Sequence, residues 1–300
     1  MQVVGKRTVS QKCFTVFNTL FMIIFMILIL YPVLNILAIS LSEDTAVLTG
    51  SVTFYPMGLD LSAYEKAFTN RLLLSSYMNT VLVSVSGCIF TLIFTSMAAY
   101  PLAFCDFYGK KVVSFMIMFT MWFSAGMIPS FMVVKTLGLV NNLASLVIVS
   151  LISAYNTIIL RNYYESIPAS LVESAYLDGA NDFGVLAKII TPMAKPALAI
   201  IALWSVVGHW NDFFAPLIYI NDTKKYTLQL VLRDIVLEAS GTELYGMSTT
   251  TVEGSSHSAI SEQTKNAVVF LAMVPMLVIY PFLQKYFVKG MMIGAVRLND

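Results

Sequence analysis

The stretch 170–196, SLVESAYLDGANDFGVLAKIITPMAKP, is a polar island between long apolar segments, and its reading decides how the rest of the chain is organised. Ser170 and Glu173 have the S-x-x-E spacing of a capping box, in which the serine takes one orphan backbone N–H and the glutamate reaches back for another. The spacing predicts a helix that starts at Ser170. Gly179 can take the left-handed conformation that ends a helix, and Asn181 or Asp182 can cap the next one. Phe183, Leu186, Ala187 and Ile190 then fall at i, i+3, i+4 and i+7, an apolar helical face, and Pro192 predicts its end. Two turns of helix are marginal in water, so the first of these helices is expected to lie against a surface, one that another protein can supply.

The 300 residues are 58% hydrophobic and only 12% charged, with a mean hydropathy of +0.78. Such a composition excludes a soluble domain and describes a multi-pass membrane protein. A net charge of +1 without a long basic run excludes an electrostatic commitment to nucleic acid. Cys13, Cys88 and Cys105 have neither metal-ligand spacing nor a disulfide framework and are expected to be unpaired. Lys6, Arg7 and Lys12 precede an apolar run over 14–41, far longer than the ~7–15 residues of a cleaved signal core, so the run is expected to stay as an anchor.

Apolar runs near the ~20 residues that cross a bilayer predict six spans. They cover about 17–41, 77–104, 112–134, 143–160, 197–220 and 267–287 of a single transmembrane domain over 1–300. With the N-terminus inside, inner segments hold eleven Lys and Arg, including the Lys110–Lys111 pair, against seven in longer outer segments. Both termini are therefore expected in the cytoplasm, with 161–196 as a cytoplasmic loop and 42–76 and 221–266 outside. The polar, small-residue run 238–261 is expected to be a flexible probe or lid rather than packed core.

Glu173, Ala175, Gly179, Ile190 and Pro192 match the EAA pattern of bacterial ABC-importer permeases, and Asp178-Gly179-Ala180 matches its sugar-importer form. Asn79-Thr80, Ala98-Ala99-Tyr100-Pro101-Leu102, Gly126-Met127-Ile128-Pro129, Leu137-Gly138-Leu139, the run from Trp210 to Leu217 and the run from Tyr280 to Phe287 extend the likeness over most of the chain after residue 76. The chain resembles the MalG-type permeases of carbohydrate importers, in their LplC-like branch. Position 174 is Ser where the pattern has a second Ala. The resemblance implies an all-α permease of the type I importer fold in a bacterial cytoplasmic membrane. It implies a second, MalF-like permease, two copies of an ABC ATPase that hold the ATP and Mg, and an extracellular or periplasmic sugar-binding protein. It also implies that Ser170, Glu173, Ala175, Asp178, Gly179, Ala180, Ile190 and Pro192 form the ATPase-coupling loop. No cofactor is expected on this chain.

His209, Trp210, Asn211 and Asp212 interrupt the fifth span, and ionisable groups at membrane depth are costly enough to suggest a gate or pathway wall. Interhelical hydrogen bonding, with Pro216 supplying a kink, is the alternative. Tyrosines near predicted span ends read as an interfacial belt, and the 17 methionines as plastic packing. With two histidines, no nucleophile–base motif and no phosphate-cradling G-x-x-x-x-G-K-[ST], the chain is expected to be a transport subunit rather than an enzyme. Alternatives are an ABC permease for peptides or another solute, and a proton-coupled carrier using Asp212 and His209.

Overall fold

The computed structural model describes the backbone of residues 9–239 and 261–295 and the side chains of 9–237 and 261–281. Among these residues the fold is helical without a strand. In chain order the helices are α1 (Val9–Ser40), α2 (Asp44–Leu48), α3 (Ser62–Thr69), α4 (Arg71–Phe104), α5 (Lys110–Trp122), α6 (Met127–Thr136), α7 (Ala144–Ile148), α8 (Ala154–Glu165), α9 (Ala169–Leu177), α10 (Asp182–Val185), α11 (Thr191–Met193), α12 (Lys195–Asn211), α13 (Phe214–Tyr219), α14 (Leu228–Ala239) and α15 (Glu262–Ala295). A π turn, Leu186–Ile190, joins α10 to α11. The chain divides into two compact units, 1–70 with 235–273 and 71–234 with 274–300.

In the first unit, α1 is apolar on every side and exposed along most of its length, as a helix in lipid would be. Its C-terminal end is pinned: the Ser40 and Tyr64 hydroxyls lie 2.7 Å apart, Ser42 Oγ donates to Ala38 O at 2.6 Å, and the Met57 N–H donates back to Ser42 Oγ at 3.0 Å. Segment 42–76 was expected as loop, yet it contains α2, α3 and the start of α4.

The second unit is built on α4. Its buried stripe Ser76, Thr80, Ser84, Gly87, Thr91 and Thr95 is made of small residues three or four apart, which lets α8 and α12 approach closely. Thr80 also accepts from the Leu228 N–H at 2.8 Å, which binds the start of α14 to the span. Leu228, Leu230, Val231 and Leu232 are buried. The segment expected as an outer loop at 221–266 thus opens with a packed helix. Most of the polar run 238–261, His257 included, and the Tyr280–Phe287 motif side chains beyond 281 lie outside the described residues.

Of the six expected spans, several are broken. Among the described residues three helices are long and apolar enough to cross a bilayer, Val9–Ser40, Arg71–Phe104 and Glu262–Pro281, and up to five spans result if each of two bent helix pairs is one span. The span at 112–134 is two helices bent by 116°. Phe123 leaves the helical region and Gly126 takes φ +83° there, a conformation that glycine adopts without strain. The span at 143–160 is the short α7 followed by α8, because Ser150 turns its hydroxyl onto Leu146 O and Ser153 restarts the helix as its N-cap. The span at 197–220 stops at Asn211 and resumes at Phe214.

Candidate functional site

The loop of 161–196 begins one residue earlier than the capping box predicts. Pro168 stands at the N-cap position of α9 without a side-chain cap, so Ser170 and Glu173 both lie inside the helix and form no box. The reason is backbone geometry: Pro168 already carries a helix-compatible φ of −57° and needs no donor at the first turn. The other end forms as expected. Gly179 has φ +81°, its N–H donates to Tyr176 O at 3.0 Å and the Ala180 N–H donates to Ala175 O at 2.9 Å, the paired bonds of a Schellman turn. Asn181, rather than Asp182, caps α10 by accepting from the Gly184 N–H at 2.8 Å.

Pro192 does not stop the second helix. Helical backbone continues to Met193, and the break falls at Ala194, where the chain bends by 85° into α12. Pro192 lacks an N–H and its ring would strike the Lys188 carbonyl, and the π turn just upstream opens the spiral at that place. The wider turn also changes the buried face. Val185, Ile190 and Ala194, five and four residues apart, are fully buried, whereas Phe183 and Ala187 are exposed.

The motif residues consequently divide. Ala175 and Ile190 join a core of Ala99, Tyr100, Leu160, Tyr164, Val172 and Val185, with Ala180 packed beside it. The smallness of Ala175 therefore serves close packing within this chain. Ser170, Glu173, Asp178 and Pro192 face outward, and the carboxylates of Glu173 and Asp178 make no hydrogen bond or ion pair among the described residues. Leu177 at 90% and Phe183 at 68% exposure flank them. A Cβ at Gly179 would meet nothing within 4 Å, so the positive φ alone calls for glycine.

Two tyrosines escaped the sequence reading. The Tyr176 hydroxyl donates to Asp182 Oδ1 at 2.5 Å and lies 2.9 Å from the Tyr100 hydroxyl on α4. The bond it donates to Asp182 holds the Tyr176 phenol above the usual tyrosine range. The available signal was a tyrosine in the last turn of a helix and an aspartate six residues on, across a glycine turn.

The polar residues of the fifth span have distinct surroundings. His209 Nδ1 lies 2.7 Å from Ser205 O, which can only accept, so that nitrogen carries a proton, and Nε2 meets Ser150 Oγ at 3.0 Å. The ring lies against Gly87, where an added Cβ would come within 2.5 Å of Nε2. Trp210 is 3% exposed and edge-on to Tyr77 at 5.6 Å. Asn211 is exposed and donates to Val207 O, closing the end of α12. Asp212 Oδ1 accepts from the N–H groups of Phe214 and Ala215 at 2.9 and 3.1 Å, opening α13. The bend therefore falls at Asp212–Phe213, and Pro216 sits inside the first turn of α13 rather than making the kink. These bonds bring His209, Ser150 and Gly87 together and leave Asn211 on its own outer face.

Asn141 also escaped notice. It holds φ +59°, takes Tyr219 O through its N–H at 2.7 Å, receives the N–H groups of Asn221 and Asp222 on Oδ1, and receives Lys225 Nζ on its carbonyl at 2.8 Å. Asn79 Nδ2 donates to Lys224 O and Tyr226 O, so the segment after α13 is tied both to α4 and to the connection between α6 and α7. Among the described residues, no group of three or more His, Cys, Asp or Glu could hold a metal ion.

The family model for the binding-protein-dependent transport system inner membrane component matches residues 72–293. The polygalacturonan/rhamnogalacturonan transport system permease protein YtcP of Bacillus subtilis is 37% identical over 92% of this chain and 96% of that protein. Protein LplC of the same organism is 37% identical over 97% of each. A chain from the crystal structure of a bacterial ABC transporter involved in the import of the acidic polysaccharide alginate has a TM-score of 0.85 and 34% identity, covering 95% of this chain and 100% of that one. The matched residues take in the 170–196 loop, the break at Asp212 and the ties at Asn79 and Asn141, and the chain belongs to the family of binding-protein-dependent transport system inner membrane components, multi-pass proteins of the bacterial cytoplasmic membrane.

Proposed function

We propose that this chain is one of two permease subunits of an ATP-driven importer for oligosaccharides or related sugar derivatives, coupled to its ATPase through residues 170–196. One observation carries the coupling: the loop is anchored on one face and free on the other. Val172, Ala175, Val185 and Ile190 are buried, while Glu173, Leu177, Asp178 and Phe183 present two unpaired carboxylates and two apolar side chains outward. An apolar patch with a charged rim on a rigid support is what a docking contact requires.

In this reading the whole chain is one permease domain with both termini and the 161–196 loop in the cytoplasm. ATP and Mg reside on two copies of a separate ATPase, and an external binding protein delivers the sugar. Closure of the ATPase pair moves the loop, and the spans turn the cavity from outside to inside. The names of YtcP and of the alginate transporter support a carbohydrate cargo. At the break in the fifth span, Asn211 is the member open to a passing solute. His209 and Asp212 hold the helix ends, and Trp210 is wall.

The test is reconstitution in liposomes. This chain alone should neither hydrolyse ATP nor move sugar, and adding the second permease, the ATPase and the binding protein should give ATP-dependent uptake. Glu173→Lys should insert normally yet lose uptake and the ATPase. Normal uptake by that variant at equal expression removes the loop from the mechanism, and accumulation by the lone chain under a proton gradient would favour a carrier.

A further inference from the structure

Tyr100, Tyr176 and Asp182 lie on three different elements, and their side chains join them. Tyr176 is in the last turn of α9, Asp182 is the first residue of α10, and Tyr100 is in the last turns of α4. Each hydroxyl has one proton. Because Tyr176 donates to the Asp182 carboxylate, the Tyr100 hydroxyl must be the donor in the 2.9 Å contact, so the bonds run in one direction from span to loop. The first bond crosses the Gly179 turn and fixes the angle between α9 and α10. The second ties that corner to the membrane helix. Tyr100 is 4% exposed and held by the core around Ala175 and Val185, so its hydroxyl is a fixed point and not a swinging one. The next residue, Pro101, removes a backbone donor in the last turn of α4, three residues before the helix ends at Phe104.

We infer that Tyr100, Tyr176 and Asp182 are positioning residues that act as a strap, passing movement of the 170–196 corner directly to the last turn of α4. This rests on the coupling reading above. The strap itself touches neither sugar nor nucleotide. Without it, the docking face would still bind its ATPase, but the corner would yield instead of pulling the span.

The experiment compares sugar moved per ATP hydrolysed in the reconstituted complete importer, for wild type, Tyr176→Phe, Tyr100→Phe, the double variant, Asp182→Asn and Asp182→Ala. Each Tyr→Phe variant should keep its co-purifying ATPase; Tyr176→Phe should lose roughly tenfold in sugar per ATP, about the worth of one charge-assisted hydrogen bond, and Tyr100→Phe less, because it removes a bond between two neutral hydroxyls. The double variant should be no worse than Tyr176→Phe, since both act on one chain of bonds. Asp182→Asn, which keeps an acceptor oxygen, should lose less than Asp182→Ala. Unchanged stoichiometry in the tyrosine variants, fully additive losses, or losses that follow departure of the ATPase overturn the strap while ATP-dependent uptake by wild type keeps the coupling reading. Uptake by wild type that ignores ATP overturns both.

Discussion

Replacing Gly179 with a graded series isolates one physical quantity, the cost of a positive φ. The residue sits at φ +81° and an added Cβ meets nothing within 4 Å, so steric crowding contributes nothing to the result. An L-residue in the left-handed region costs about 1–2 kcal/mol, less for Asn, whose side chain bonds locally. One or two kcal/mol is roughly a 5- to 30-fold change in a two-state ratio. Gly179→Ala should therefore lower the fraction of closed turn by about that factor, and Gly179→Asn by less. Gly179→Pro is a different perturbation. It deletes the N–H that donates to Tyr176 O and presses Asp178 from its present φ −77°, ψ 3° toward extended backbone, for at least about 3 kcal/mol. The assay is the concentration of ATPase needed to half-saturate the purified permease pair, read beside thermal unfolding of that pair. The expected order is Gly, Asn, Ala, Pro in falling affinity, with unfolding little changed through Ala. If Ala binds as well as Gly, or Asn as badly as Pro, backbone conformation at 179 is not what shapes the docking corner.

In the fifth span, Trp210→Ala should cost about 3–5 kcal/mol in thermal or denaturant unfolding, as loss of a buried indole does. Asn211→Ala should leave unfolding nearly unchanged and alter uptake or sugar preference, so a destabilised Asn211→Ala complex with normal uptake would make that site structural. Gly87→Ala should destabilise by about 1–3 kcal/mol because the new methyl meets the His209 ring, and His209→Ala added to it should recover part of the loss in the same unfolding assay. Tyr176 has a raised folded-state pKa, so its contribution is complete below its ordinary value of 10.0 and fades as pH climbs above it. Stability in unfolding should be level in this respect from neutral pH to about 9 and lose the Tyr176 contribution only on the alkaline side of 10.0, a loss that Tyr176→Phe should lack.

Much of this protein could be read without its fold. Membrane character follows from the apolar content of the spans, since no other medium accepts such helices. Gly179 as a helix terminator and Asn181 as a cap are backbone preferences within a few residues, and local sequence carries them. The EAA pattern identified the loop for the same reason: its spacing is covalent.

The faces and the breaks needed tertiary structure. The i, i+3, i+4, i+7 pattern put Phe183, Leu186, Ala187 and Ile190 on one apolar face; Ile190 is buried, but with the π turn before Pro192 its fully buried companions are Val185 and Ala194, and a regular helical period contains no term for that. Hydropathy placed spans at 112–134 and 143–160 without any sign of their breaks, because it sums transfer energies and ignores direction. Phe123, Gly126, Ser150 and Ser153 redirect the chain through φ, ψ and single hydrogen bonds, without making it more polar. The bond from Tyr100 to Tyr176 joins residues 76 apart, and that from Leu228 to Thr80 joins residues 148 apart. Such pairs exist only after α4 has been packed against its neighbours, because a hydrogen bond needs its partners within about 3 Å and sequence distance says nothing about that.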